Sequence, residues 1–250
     1  MKQTLIRTLL LLVGCMSPAI GEVTLEGFYW MMEPSGTGSL GQNSIVGTRF
    51  DLQQDLGFGE TENIVGATVV LGGPLAFGAS FMNIDIEAQR TIEQQINFQD
   101  LSFTARSDLS SLLETSVFRG FVRAGKNDND LAIAAEAGVI YADVTAAARA
   151  SGVGNASVSV SGGTVYAGGH VKMPLGPHLG IQGGLRFSSW SFEDFEYDYL
   201  EFEISGRVKF DPLFGGAGYR SFKLDGKDSA ALFALDLELT GPIIYAGFTF

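Results

Sequence analysis

Two histidines, His170 and His178, flank the turn-forming run Pro174-Leu175-Gly176-Pro177 and are the only ones in 250 residues. A serine hydroxyl needs an adjacent base to become a nucleophile, so a lipid-cleaving hydrolase built on this chain would have to recruit one of them. No GxSxG, zinc-ligand spacing or phosphate loop accompanies either. Hydrogen-bonding positions in an interior or at a turn are the plainer assignment, and the chain is expected to be no enzyme and to need no metal or cofactor. The single thiol, Cys15, follows Leu12-Val13-Gly14. That run fits the lipidation box of bacterial lipoproteins, so Cys15 is either a lipid anchor or part of a removed segment. In the second case thiol and disulfide chemistry are excluded.

A larger set of ionisable residues sits in apolar surroundings, mostly at alternate positions: Arg49, Asp51, Asp85, Glu87, Arg119, Arg123, Arg186, Glu201, Glu203, Arg207, Lys209, Asp236 and Glu238, with Arg220 in a less regular run. Their chemistry is electrostatic. On one closed face they would either pair across strands and fill an interior, or line a hydrated channel whose charges set solute preference. The same residues serve both readings.

The elements that would hold them are strands. In 199–210, Leu200, Phe202, Ile204, Val208 and Phe210 alternate with Glu201, Glu203, Ser205, Arg207 and Lys209. A period of two means an extended segment with one apolar and one polar face. The same alternation runs through 44–52, 63–71, 75–87, 115–124 and 179–192, while 131–148 is alanine-rich but carries the β-branched and aromatic run AGVIYADV, which favours a strand. Residues 88–114 are the least regular and read as a long loop with a short strand around 96–104, and 151–163 is a Ser/Gly/Val loop that could extend its neighbours. The aromatics Phe28, Tyr29, Trp30, Trp190, Phe192, Phe195, Tyr197 and Tyr199 cluster near strand ends and suggest interfacial girdles.

With 33 glycines, 19 phenylalanines and only 18% charged residues, moderate hydrophobicity is spread over short alternating pieces. A transmembrane β-barrel looks like this, because only one face of each strand meets lipid. The N-terminus has the layout of an export signal: Lys2 and Arg7, an apolar stretch Leu9 to Val13, and the small-x-small run Ala19-Ile20-Gly21. Cleavage there would divide the chain into a signal peptide, 1–21, and a barrel, 22–250, with 14 basic against 28 acidic residues. Such a balance excludes nucleic acid as a partner.

The last stretch, 230–250, carries Phe233, Leu235, Leu237 and Leu239 on one face and, after Gly241-Pro242, Ile244, Ala246, Phe248 and Phe250. Here the chain resembles the bacterial outer-membrane β-barrel proteins, whose final strand alternates and ends in Phe. The resemblance implies an outer-membrane location, contact with outer-membrane lipid, and a barrel-assembly machinery that reads Phe248 and Phe250. The expected fold is all-β: a closed antiparallel up-and-down barrel of about ten to twelve strands. Its function would be that of a narrow passive pore for small solutes or of a closed structural or surface-interaction barrel. Short turns belong on the periplasmic side of such barrels. That orientation makes 230–250 one long strand, with a bulge at Gly241-Pro242 to explain the shift in its apolar pattern.

Overall fold

The computed structural model describes residues 22–40, 48–59, 61–92, 95–98, 101–104, 106–127, 131–192, 195–228 and 233–250. The expected export segment 1–21 with Cys15, and most of the strand expected before Phe50, lie outside these residues. The strands are β1 (Val23–Leu40), β2 (Phe50–Asp51), β3 (Glu62–Gly72), β4 (Leu75–Thr91), β5 (Ile96–Phe98), β6 (Leu101–Phe103), β7 (Asp108–Asn127), β8 (Ala132–Ala150), β9 (Gly154–Pro174), β10 (Leu179–Phe192), β11 (Phe195–Phe210), β12 (Leu213–Asp228) and β13 (Phe233–Thr249). All but β2, β5 and β6 run antiparallel in chain order, and β13 pairs with β1 to close the sheet. The barrel therefore has ten strands.

The short strand expected around 96–104 is a separate hairpin, β5–β6, and adds nothing to the barrel wall. The expected long loop is shorter, because β4 and β7 stay paired as far as Thr91↔Asp108. The run 151–163 does extend its neighbours, with β8 and β9 paired up to Ala150↔Gly154. Short connections, among them Gly73-Pro74 and Asp211-Pro212, share one end of the barrel with Val23 and Phe250. We call this the terminal end and the opposite one the distal end.

β13 passes through Gly241-Pro242 as one strand. The expected bulge is absent. A bulge inserts an extra residue into one strand, yet the offset to β12 is constant from Asp228↔Phe233 to Leu213↔Phe248, and on the other side Trp30↔Ile243 and Glu33↔Thr240 share one offset. Leu235, Leu237 and Leu239 are buried, whereas Ile244 and Phe248 are exposed. The strand keeps its direction, and the surroundings of its two faces exchange.

The same exchange occurs around the barrel. On β4 the outward residues are Leu75, Phe77 and Phe81, then Asn83, Asp85 and Glu87. On β8 Val139 and Tyr141 give way to Asp143, and on β11 the row from Phe210 to Leu200 gives way to Asp198 and Glu196. The terminal half is thus belted by exposed Leu, Ile, Val and Phe, a surface too large and continuous for water and suited to hydrocarbon. Phe248 and Phe250 belong to that belt, their rings stacked 6.5 Å apart. The belt on β11 spans Leu200 to Phe210, matching the roughly 9–11 residues a tilted strand needs to cross a bilayer.

The distal half is polar outside and apolar inside. With 20, 19 and 21 residues, β7, β8 and β9 project well beyond the belt, by about 8–10 residues or roughly 30 Å. There the barrel separates into two facing sheets, because the β3–β4 ladder stops at Val65↔Asn83 and the β9–β10 ladder at Phe187↔Ala167. Trp30, Ile84, Leu113, Ile140, Phe222 and Leu237 pack between them as in a sandwich. In the terminal half inward glycines make room for rings. Phe28 lies opposite Gly66, and Phe121 opposite Gly78. A Cβ at either glycine would fall 2.1 Å from a ring carbon.

Candidate functional site: the charged lumen

Where apolar core meets belt, the lumen carries a connected set of ion pairs. Alternation turns Arg119 and Arg123 of β7, Glu136 of β8, Arg186 of β10, Glu201 and Glu203 of β11 and Arg220 of β12 inward. Arg123 Nη2 is 2.6 Å from Glu136 Oε2, Arg186 Nε is 2.6 Å from Glu136 Oε1, Arg186 Nη1 is 2.7 Å from Glu201 Oε1, and Arg119 Nη1 is 2.6 Å from Glu201 Oε2. The chain of pairs starts and ends on β7 and so spans the interior. Arg220 pairs with Glu203 and reaches Glu201 at 4.0 Å.

Hydroxyls fill the remaining positions. Tyr199 Oη donates to Glu201 at 2.6 Å, Tyr166 Oη to Glu136 at 3.0 Å, and Arg119 Nε donates to Ser80 Oγ at 2.9 Å. Both lone-pair-bearing oxygens of Glu201 and Glu136 are thereby occupied, which is what a carboxylate needs when it leaves water. Directly above, Tyr199 packs edge-on against Phe222 at 5.5 Å, and the apolar core begins. Arg220 lies 4.5 Å from the centre of the Phe28 ring.

On the terminal side of the network lies a cavity of about 200 Å³. Arg207, Lys172, His170, Gln182, Glu26 and Arg220 line it, and the turn residues Gly73, Pro74 and Lys126 at its edge put it in reach of the terminal end.

Of the charges expected inside, Arg119, Arg123, Arg186, Glu201, Glu203, Arg207 and Arg220 line the lumen. Lys209 shares their face but lies at the rim, paired with Asp211 at 2.9 Å. Six others are not there. Asp236 and Glu238 point outward, because in the distal half it is the leucines of β13 that fill the interior, and Asp236 pairs with Lys223 at 3.5 Å. Asp85 and Glu87 face out for the same reason. Arg49 and Asp51 belong to the distal connection between β1 and β3. Arg49 donates to Thr37 Oγ1 at 3.1 Å, and Asp51 Oδ1 caps a turn by accepting from the backbone of Gln53 and Gln54. The aromatics divide too: Phe28, Trp30, Tyr197 and Tyr199 are buried inside, so they form no girdle, while Trp190 is exposed.

Sequence reasoning missed Glu136, Lys172 and Glu26. Glu136 was legible in outline: of the two carboxylates in the alanine-rich run, Glu136 and Asp143, it is the one on the face of Ala134 and Gly138. Of the histidines, His170 lines the cavity, and His178 lies in the turn, its Nδ1 3.0 Å from the Lys209 carbonyl and its ring stacked on Phe210.

Among solved structures, the chain is similar to the outer membrane protease OmpT from Escherichia coli, with a TM-score of 0.58 at 9% identity over 93% of this chain and 97% of that one. The fold is that of an outer-membrane β-barrel. The transport unit of the autotransporter AIDA-I from Escherichia coli aligns at a TM-score of 0.45 and 10% identity, over 94% of this chain and 92% of that one. No family model matches the chain, and no curated protein does. Fold and apolar belt together are those of an outer-membrane protein, and by the general rule for such barrels the short-turn, terminal end is periplasmic.

Proposed function

We propose that the protein is a closed, non-enzymatic barrel that holds a rigid, acidic distal half beyond the membrane as a structural or surface-interaction platform. The observation that carries this reading is the double closure of the lumen. The bridged set Arg123–Glu136–Arg186–Glu201–Arg119 spans it, and above that set Trp30, Met32, Ile84, Leu237 and Leu239 are 0% exposed. A hydrated path would need a gap through both layers, and the packing of these apolar side chains supports a closed lumen. The outward face of the distal half, with Glu33, Asp85, Glu87, Glu114, Asp143, Glu196 and Asp198, supplies the acidic surface such a platform would present.

Reconstitution into planar bilayers tests it. Folded protein should give no stable conductance steps, and reproducible single-channel conductance would overturn the closed reading in favour of a narrow pore. A lipid-modifying activity is tested separately. Neither His170 nor His178 lies at the distal end, where outer-leaflet lipid would be met. Hydrolysis of phospholipid or lipopolysaccharide that is lost in both His170→Ala and His178→Ala would make the protein an enzyme.

A further inference from the structure

The lumen charges do not balance. Seven cations line it or its mouth, Arg119, Arg123, Lys126, Lys172, Arg186, Arg207 and Arg220, against five carboxylates, Glu22, Glu26, Glu136, Glu201 and Glu203, in a chain whose net charge is −12. The surplus is divided between the bridged network and the cavity beside it. Arg119, Arg123, Arg186 and Arg220 are taken up by Glu136, Glu201 and Glu203. Among the described residues neither Lys172 nor Arg207 lies within ion-pair distance of a carboxylate. Arg207 rests on the Phe214 ring at 3.9 Å and makes only a long 3.5 Å contact to Gln182 Oε1. Both cations line the cavity on the terminal side of the network, at the depth of the belt residues Val171, Met173 and Val208.

Two further features belong to the same cavity. Register places Lys172 directly opposite Gln182, and Arg207 two residues beyond Gln182's other partner, Ser205, so three adjacent strands bring these side chains to one wall. At the cavity's inner boundary Arg220 is 5% exposed, and its Nη1 is buried without a hydrogen-bond partner. An orphaned guanidinium N–H is costly to bury, and uncompensated cations at membrane depth are costly as well.

We infer that this periplasm-facing cavity is a binding site for a small water-borne oxyanion of the phosphate or carboxylate class, held by Arg207 and Lys172. Guanidinium and ammonium groups converging on one cavity are the donor set such oxygens take. Glu26 shares the cavity, and the two-charge surplus is what sets the preference for an anion over a cation. The source is solution and not a lipid headgroup. The ladders around the cavity run without a gap, β9 to β10 from Gly180↔Pro174 to Phe187↔Ala167 and β11 to β12 from Phe210↔Leu213 upward, so the wall offers no lateral entry. The site does not depend on whether the barrel conducts.

The test is calorimetric titration of inorganic phosphate into the full-length folded barrel in a non-ionic detergent. Binding with a Kd of about 1 mM or tighter is expected. Arg207→Gln and Lys172→Gln should each weaken it by about tenfold, the loss of one charge-assisted hydrogen bond. Lys209→Gln, at the rim ion pair, should leave it unchanged, and Arg207→Lys should retain part of it. The characteristic gel shift of heated against unheated barrels reports folding of each variant. Absence of phosphate binding by folded native protein, or equal binding by the folded Lys172→Gln/Arg207→Gln pair, would overturn the site. Binding of short-chain phosphatidylglycerol, with none of phosphate, would overturn the solution source.

Discussion

Arg119 on β7 and Glu201 on β11 meet at 2.6 Å although β8, β9 and β10 stand between their strands in the sheet. The contact therefore crosses the lumen. It ties opposite walls together at the level where the belt ends, and it does so with side chains that are 7% and 1% exposed. Removing one partner of such a pair leaves a buried charge behind, which is the expensive outcome.

Arg119→Ala should accordingly destabilise the barrel by on the order of 3 kcal/mol, with Arg186 still serving Glu201 and softening the loss. Urea unfolding in lipid vesicles measures it. Glu201→Leu should cost clearly more than Arg119→Ala, since Glu201 serves Arg119, Arg186 and Tyr199 and its loss leaves all three without that acceptor.

The level of the membrane border is tested by two outward positions on β4. Phe81 is 49% exposed within the belt, and Asp85 lies two outward positions further along, past Asn83, in the polar zone. Phe81→Arg should cost about 2–4 kcal/mol, the depth-dependent cost of a charge facing lipid. Asp85→Arg should change stability by no more than about 0.5 kcal/mol. Equal effects in vesicle unfolding would move the border.

The apolar filling of the distal half makes a prediction of the opposite sign from that of a channel. Leu237, 0% exposed, faces Trp30, Met32 and their neighbours in the core. Leu237→Ala should cost about 2–5 kcal/mol and raise protease sensitivity of the distal strands while the belt stays protected. A water-lined position would tolerate the change.

Ring-over-glycine packing is tested by coupling. Gly78→Val drives a side chain into the Phe121 ring, and overpacking of this kind costs about 1–3 kcal/mol. Phe121→Ala should relieve it, giving a favourable interaction energy of about 1 kcal/mol or more in a double-mutant cycle. Additive effects would show that the two residues do not share the space.

The sequence by itself determined the strands and the alternation within each, because side chains of an extended chain point to opposite faces whatever lies around them. It also determined which residues share a face: Glu201 with Arg207, and Leu237 with Leu239, are one parity each on their strands. Closure into a barrel of about ten to twelve strands was legible as well, from strand spacing and the placing of short turns, and the structure has ten. Which solvent each face would meet was not. Alternation is symmetric under exchange of inside and outside, so Leu237 facing a core and Ile244 facing lipid produce the same local pattern, and the shift between them resembles a bulge. Only the closed sheet, with its two ladders ending at Val65↔Asn83 and Phe187↔Ala167, decided that the polarity reverses along every strand. The meeting of Arg119 with Glu201 was out of reach for a related reason: it depends on the width of the lumen and on the register of four intervening ladders, quantities that belong to the assembled barrel and to no segment of the chain.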